Sequence, residues 1–301
     1  MGPLELGAQI PAWRWEYGVA ELRDVAQAAE AIGYDFLFVS DHVAFAYARD
    51  DRPGGVYGGA IAQHEALTFL AAAAAWTSRV RLQTGVLVLP QREPLLVAKQ
   101  AAEVDVLSGG RLRLGVGLGW SAAEFGALGA AFPDRAARFE EALALLRACW
   151  REEPVAFAGA HSRVDEMSVL PKPVTPGGPP ILIGAFAPRA LDRAARLADG
   201  WIAGPGLAPE RAATAAAAMR ARVEGAGRDA ASFVMQSTVA LGSEPGPIGA
   251  ALMAYRAAGF DRLGVHMGEE RVSPDAYIRR LEMVQRDVWP VVVAGSSPEG
   301  A

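Results

Sequence analysis

Cysteine is almost absent. Cys149 is the single one in 301 residues, which excludes an internal disulfide and suits a reducing compartment. It lies in the apolar helical run Leu145-Leu146-Arg147-Ala148-Cys149-Trp150, where a small core residue is expected rather than a nucleophile. Histidine is scarce as well. The four, His42, His64, His161 and His266, are scattered without HxxxH spacing or a Cys/His cluster, so no metal site is expected. Neither sign of charge dominates: 29 Lys and Arg stand against 34 Asp and Glu, a net −5 spread along the chain. Nucleic acid and anionic membrane surfaces are therefore not expected partners. Long hydrophobic runs are missing, which argues against a membrane-spanning helix. Residues 1–11 have neither a basic start nor an apolar core, so no export signal is read there. The expectation is a cytoplasmic protein acting on a small molecule.

What is present is apolar and periodic. Hydrophobic residues make up 51% of the chain, in alanine-rich helical patterns alternating with short Val/Leu/Ile runs. Residues 4–10 alternate as a first strand, with Pro11 and Trp13 at its exit. Residues 19–32 carry helical spacing and end at Gly33, a stop signal. The all-apolar strand 36–39 runs straight into Ser40-Asp41-His42. Residues 44–63 form a loop longer than connectors usually are, which reads as a functional lid. A helix over 66–78, a strand over 80–89, a helix over 94–107, a strand over 111–116 and a helix over 134–150 follow.

Residues 152–180 break the alternation with a short hairpin and a proline run (Pro171, Pro173, Pro176, Pro179, Pro180), read as an insertion after the fourth unit. Strands over 181–183, 201–203, 233–241 and 262–266 then alternate with helices over 188–198, 209–225, 248–258 and 274–288. Residues 290–301 are expected to be a disordered tail. Eight strand–helix units predict an α/β fold of the (β/α)8 TIM-barrel kind, one domain over 1–301. A doubly wound sheet is the alternative, but it needs no eighth unit.

Residues 107–120, LSGGRLRLGVGLGW, hold the most distinctive local pattern. A tight turn leads into a buried strand that opens on Gly115, Gly117 and Gly119 and closes on Trp120. Glycine at every second position predicts a strand end bare of side chains on one face, against which a flat ligand can lie. The dinucleotide fingerprint does not apply, because the spacing is GxGxG and no helix starts on the last glycine. Chemistry is expected at the carboxyl ends of the strands.

The residues at those ends, taken in order, resemble the bacterial luciferase-like family of flavin and deazaflavin oxidoreductases. The matching runs begin with Ser40-Asp41-His42-Val43, Thr84-Gly85-Val86-Leu87, Leu89-Pro90-Gln91-Arg92-Glu93-Pro94 and Asp105-x-Leu107-Ser108-Gly109-Gly110-Arg111. They continue with Leu114-Gly115-Val116-Gly117-x-Gly119-Trp120, Glu124-Phe125, Pro171-Lys172-Pro173, Pro180-x-Leu182-Ile183-Gly184 and Ala198-Asp199-Gly200-Trp201. No single run is specific; their order across more than half the chain is.

The resemblance implies a barrel holding a tricyclic ring in its mouth, closest to the branch using the deazaflavin coenzyme F420. The sister branch uses reduced flavin mononucleotide (FMN) and oxygen. By resemblance, a non-proline cis peptide maps to Gly85–Val86, behind the ring and next to Thr84. Asp41 and His42 take the catalytic positions, since imidazole can hydrogen-bond a ring edge or move a proton near neutral pH. Taken alone, a histidine after a buried strand is more often structural. Gly117 and Gly119 are expected on the coenzyme. Its phosphate is expected on the backbone of Gly184, Ala185, Phe186 and Ala187 at a helix start, with Arg189 nearby. Here the family's Gly-Gly-x-Ser lacks its hydroxyl.

A second departure is Trp120, where family members acting on sugar phosphates carry an acid. An aromatic wall of Trp13, Tyr57 and Trp120, with His64 and His266 as further substrate contacts, favours an apolar or planar substrate. The expected function is hydride transfer between F420 and a small, largely apolar molecule with a C=C, C=N or C=O bond, carried out by a homodimer. A two-component FMN monooxygenase fed by a separate flavin reductase is the alternative. A barrel that has lost its cofactor and binds or rearranges a metabolite is a second.

Overall fold

The computed structural model describes residues 3–13, 17–47, 61–204, 206–268, 270 and 272–295. Its first half runs β1 (Glu5–Gln9), α1 (Val19–Ile32), β2 (Phe36–Val39), α2 (Ala66–Trp76), β3 (Arg81–Thr84), β4 (Leu87–Val88), α3 (Pro94–Ser108), β5 (Leu112–Gly117), α4 (Ala122–Ala127) and α5 (Arg135–Arg151). An antiparallel hairpin of β6 (Val155–Ala158) and β7 (Arg163–Met167) follows, in the stretch read as an insertion. The second half runs β8 (Ile181–Gly184), α6 (Pro188–Leu197), β9 (Gly200–Ile202), α7 (Ala212–Gly225), β10 (Val234–Ala240), α8 (Pro245–Ala257), β11 (Arg262–His266), α9 (Pro274–Met283) and α10 (Trp289–Ala294).

Outside the hairpin every strand pairing is parallel, in the order β3-β2-β1-β11-β10-β9-β8-β5-β4, and a further β3–β5 pairing closes the ring. β3 and β4 are two pieces of one barrel strand, so the ring is the eight-stranded (β/α)8 barrel expected from the alternation. Parallel strands under helices are covered on both faces, so they read as unbroken apolar runs; β2, Phe-Leu-Phe-Val, is buried throughout. Alternate residues split between two compartments. Leu6, Leu37, Val39, Leu82, Leu114, Val116, Ile183 and Leu263 join the core between barrel and helices. Glu5, Phe36 and Arg113 meet in the lumen, because Glu5 on β1 reaches Arg113 on the non-adjacent β5 at 2.5 and 2.7 Å.

Helix signals in the sequence act as expected. Gly33 ends α1 and Gly109 ends α3, both in the left-handed conformation that glycine adopts without a Cβ clash. Three expectations change. The strand expected over 80–89 is split into β3 and β4 around Gly85 and Val86, whose peptide is cis. The six-residue α4, in a stretch given no element above, is a helix capped by Ser121. The tail is not disordered from 290. After a π turn at Val284–Val288 the chain continues as α10, with Val292 wholly buried. Pro290 falls in the first turn of α10, where a missing N–H costs nothing. Among the described residues no helix is long and apolar enough to cross a membrane.

Candidate active site

His42 follows β2 at the carboxyl end of the barrel, and its side chain is only 11% exposed. Its Nδ1 lies 2.9 Å from Oε2 of Glu124, on α4. Glu124 is buried, and its other oxygen, Oε1, accepts the Val43 N–H at 2.6 Å, the Ala44 N–H at 3.3 Å and Gln91 Nε2 at 3.3 Å. Burial alone would raise this carboxyl. The hydrogen bonds from His42, Val43 and Ala44 outweigh it and hold the group below its ordinary value. Glu124 is therefore a carboxylate, which only accepts, and the proton between the two side chains belongs to His42 Nδ1. The imidazole meets the rings of Phe45 and Trp120, with centroids 4.9 and 5.4 Å away, the second edge to face.

Asp41 is placed differently. It is buried, with Oδ2 accepting the Val88 N–H at 2.9 Å and Oδ1 paired to Arg92 at 2.7 Å. Arg92 also holds Glu65, the N-cap of α2. Burial pushes the Asp41 carboxyl up despite the Arg92 guanidinium. Both oxygens are committed to fastening β4 and α2 at the end of β2.

The glycine-lined floor read from the sequence is filled by protein. A Cβ on Gly115 would meet the Thr84 carbonyl oxygen at 2.0 Å, one on Gly117 the Val86 side chain at 2.7 Å, and one on Gly119 Val88 at 2.5 Å. These glycines make room for the bulged segment of the neighbouring strand, because β4 pairs with β5 through Leu87↔Val116 and Val88↔Gly117. Thr84 is wholly buried with its hydroxyl on the Gly115 carbonyl at 2.7 Å. Gly85 and Val86 are half-buried, and Val86 also lies over Gly184, whose Cβ would sit 3.0 Å from it.

At the end of β8, Ala185 is buried and its carbonyl accepts the Trp201 indole N–H at 2.9 Å. Phe186 is 64% exposed. Ala187 is the N-cap of α6 and supplies no side-chain acceptor to it. His266, half-buried at the end of β11, is held below its ordinary value by burial, against the pull of the Met267 carbonyl. The Ala12 carbonyl at the exit of β1 accepts the His64 N–H at 2.9 Å, while the His64 side chain is exposed and its ring lies 5.5 Å from Phe69. Trp13 is half-buried against the core. Tyr57 and most of the expected lid lie outside the described residues.

The structure thus brings His42 and Trp120 together and sets Val86 over Gly117 and Gly184, while Trp13, His64 and His266 stand at other strand exits. It also adds Glu124. The sequence signal for it was Ser121-x-x-Glu124 directly after the glycine run, a helix-start pattern. In the folded chain that Glu turns to His42 instead of to its own cap.

A closed parallel barrel with a histidine and a bulged strand at its carboxyl end defines the architecture class. The chain belongs to the luciferase-like monooxygenase family, matching it over residues 6–263. It is 37% identical over 231 residues to an F420-dependent glucose-6-phosphate dehydrogenase of Nakamurella multipartita, covering 75% of this chain and 64% of that protein. It is 33% identical over 191 residues to an FMNH(2)-dependent dimethylsulfone monooxygenase of Pseudomonas fluorescens, covering 62% of this chain and 49% of that one. The chain thus spans less than two thirds of the length of these curated relatives. The fold matches a solved F420-dependent secondary alcohol dehydrogenase in complex with an F420-acetone adduct, with a TM-score of 0.76 at 18% identity over 97% of this chain and 99% of that one. It also matches the F420-dependent tetrahydromethanopterin reductase of Methanopyrus kandleri, with a TM-score of 0.76 at 17% identity over 96% of this chain and 99% of that one.

Proposed function

We propose that this protein is an F420-dependent oxidoreductase that moves a hydride between the deazaflavin and a small, largely apolar organic molecule. The observation that carries it is His42 at the mouth, held by a buried carboxylate and set edge to face against Trp120. Two features fit the coenzyme. The half-buried Gly85–Val86 segment, with the Val86 side chain seated over Gly117 and Gly184, is the backing for a ring. The exposed start of α6 has no side-chain cap, and although Pro188 has no N–H and Ala190 donates to the Ala187 carbonyl, the backbone there still faces solvent, which answers the missing hydroxyl at Ala187. Coenzyme F420, when bound, supplies or accepts the hydride.

The chain's own residues handle binding and the proton. His42 gives a proton to the substrate heteroatom as it is reduced, or takes one as it is oxidised. Asp41 positions the bulge through Val88, and Thr84, Gly117 and Gly119 seat it. Val86 would back the ring, and the backbone of Gly184 to Ala187 would hold the phosphate. Trp120 and Phe186, both exposed, present apolar surface to the substrate, with Trp13, His64, His266 and the Tyr57 segment as outer contacts. The aromatic at position 120 argues against glucose 6-phosphate, the substrate in the name of the Nakamurella relative.

A titration of the purified protein with F420 and with FMN, followed by fluorescence, tests the proposal. Micromolar or tighter F420 binding supports it. FMN binding together with oxygen consumption in the presence of a flavin reductase supports the monooxygenase alternative that the Pseudomonas relative suggests. Binding of neither ring overturns both and leaves the cofactor-free barrel. Turnover of glucose 6-phosphate overturns the substrate class. A homodimer is part of the proposal, and sedimentation velocity checks it.

A further inference from the structure

The geometry points to Glu124 as the positioning residue that decides which nitrogen of His42 carries the proton, and so makes Nε2 the atom that works on substrate. Three observations carry this. Glu124 is buried at the start of α4, with Oε2 2.9 Å from His42 Nδ1. Its Oε1 is fixed by two backbone donors, the Val43 N–H at 2.6 Å and the Ala44 N–H at 3.3 Å, and by the Gln91 amide at 3.3 Å. The histidine ring meets Phe45 in a tilted contact and Trp120 in a T-shaped one.

An acceptor-only partner on Nδ1 requires the proton there and leaves the lone pair on Nε2. When a substrate C–OH is oxidised, the coenzyme would supply the hydride acceptor, and the part of His42 is to take the O–H proton on Nε2. The resulting imidazolium then faces the Glu124 charge at Nδ1. In the reducing direction the same imidazolium returns the proton from Nε2 to the new O–H or N–H. One carboxylate thus supports both directions, by orienting the neutral ring and stabilising its cation.

The arrangement gives an inverted control with almost no change of shape. In Glu124→Gln the amide has an oxygen and an NH2 group where the carboxylate had two oxygens. The Val43 and Ala44 N–H groups require an acceptor at the Oε1 position. The NH2 group must then sit at the Oε2 position, facing His42, where it can only donate. Nδ1 becomes the acceptor and the ring proton moves to Nε2. The variant keeps its backbone contacts but presents the substrate with the wrong end of the imidazole.

The inference rests on the proton role proposed for His42, but its first readout does not need the coenzyme. The 15N shifts of His42, read in the coenzyme-free protein at a pH where the ring carries one proton, distinguish the two tautomers. Wild type should show the proton on Nδ1 and Glu124→Gln should show it on Nε2, with an unchanged thermal midpoint and turnover lowered about 100-fold or more. A proton on Nε2 in wild type overturns the inference, as does an unchanged tautomer or undiminished turnover in Glu124→Gln. Should the variant fail to fold, the wild-type spectrum alone decides. Failure of F420 to bind while the tautomers behave as stated tells against the proposed function and leaves Glu124 in place.

Discussion

At the amino end of the barrel, charges meet openly in the lumen. Glu5 binds Arg113 at 2.5 and 2.7 Å and Arg262 at 2.9 Å, and Arg113 lies over the Phe36 ring. At the carboxyl end the carboxylates of Asp41 and Glu124 are instead turned into the walls. Backbone N–H groups and cations neutralise them there, and aromatic rings and imidazoles remain at the opening. The amino-end cluster fills the lumen with interactions that exist only when the barrel is closed. The carboxyl-end carboxylates hold other side chains in place. Charge at one end serves stability, and at the other it serves orientation.

The comparison breaks most visibly at Glu5. Glu5→Ala leaves Arg113, which is 4% exposed, without its anion. Burial and the neighbouring Arg113 already push Arg262 down to about 10. A loss of about 3 kcal/mol is expected, read by chemical denaturation, with turnover per folded molecule within about twofold of wild type. His42→Ala should do the reverse, lowering turnover about 100-fold with a smaller shift of the denaturation midpoint, because Glu124 keeps the Val43, Ala44 and Gln91 donors. An equal stability loss in both would erase the distinction between the ends.

A subtler pair concerns the glycines. Gly117→Ala places a methyl 2.7 Å from Val86 and should weaken coenzyme binding about tenfold by moving the bulge. Gly126→Ala, with nothing within 4 Å, should leave binding unchanged and stabilise α4 slightly. The smallest effect concerns pH. Burial depresses His266, so the unfolded chain binds its proton more readily than the folded one. Its contribution to stability is complete above the ordinary histidine range and is lost as pH falls through the folded value. His266→Gln should flatten the acid side of the stability curve between those limits.

Much of this was legible in the sequence. α1 and β2 fall where periodicity, the Gly33 stop and a four-residue apolar run put them, because those signals are local. The eight units followed from counting such signals. The glycine run 115–119 was misread for a physical reason: alternating glycine reports that something must come close, but not what. Here the close neighbour is the chain itself, through Thr84, Val86 and Val88. Glu124 escaped because its partners are 33 to 82 residues away in sequence, and one turn of capped helix gives no hint of them. The tail was misjudged at Pro290, which stops a helix from within but starts one comfortably.

The Val86 side chain sits between Gly117 on β5 and Gly184 on β8 like a peg between two notches cut in separate planks. Widening the peg needs deeper notches, and glycine is already as deep as a notch can be. Filling either notch displaces the peg. A side chain exchanged on the exposed rim, at Trp120 or Phe186, meets no such notch, so change there is change that the barrel does not feel.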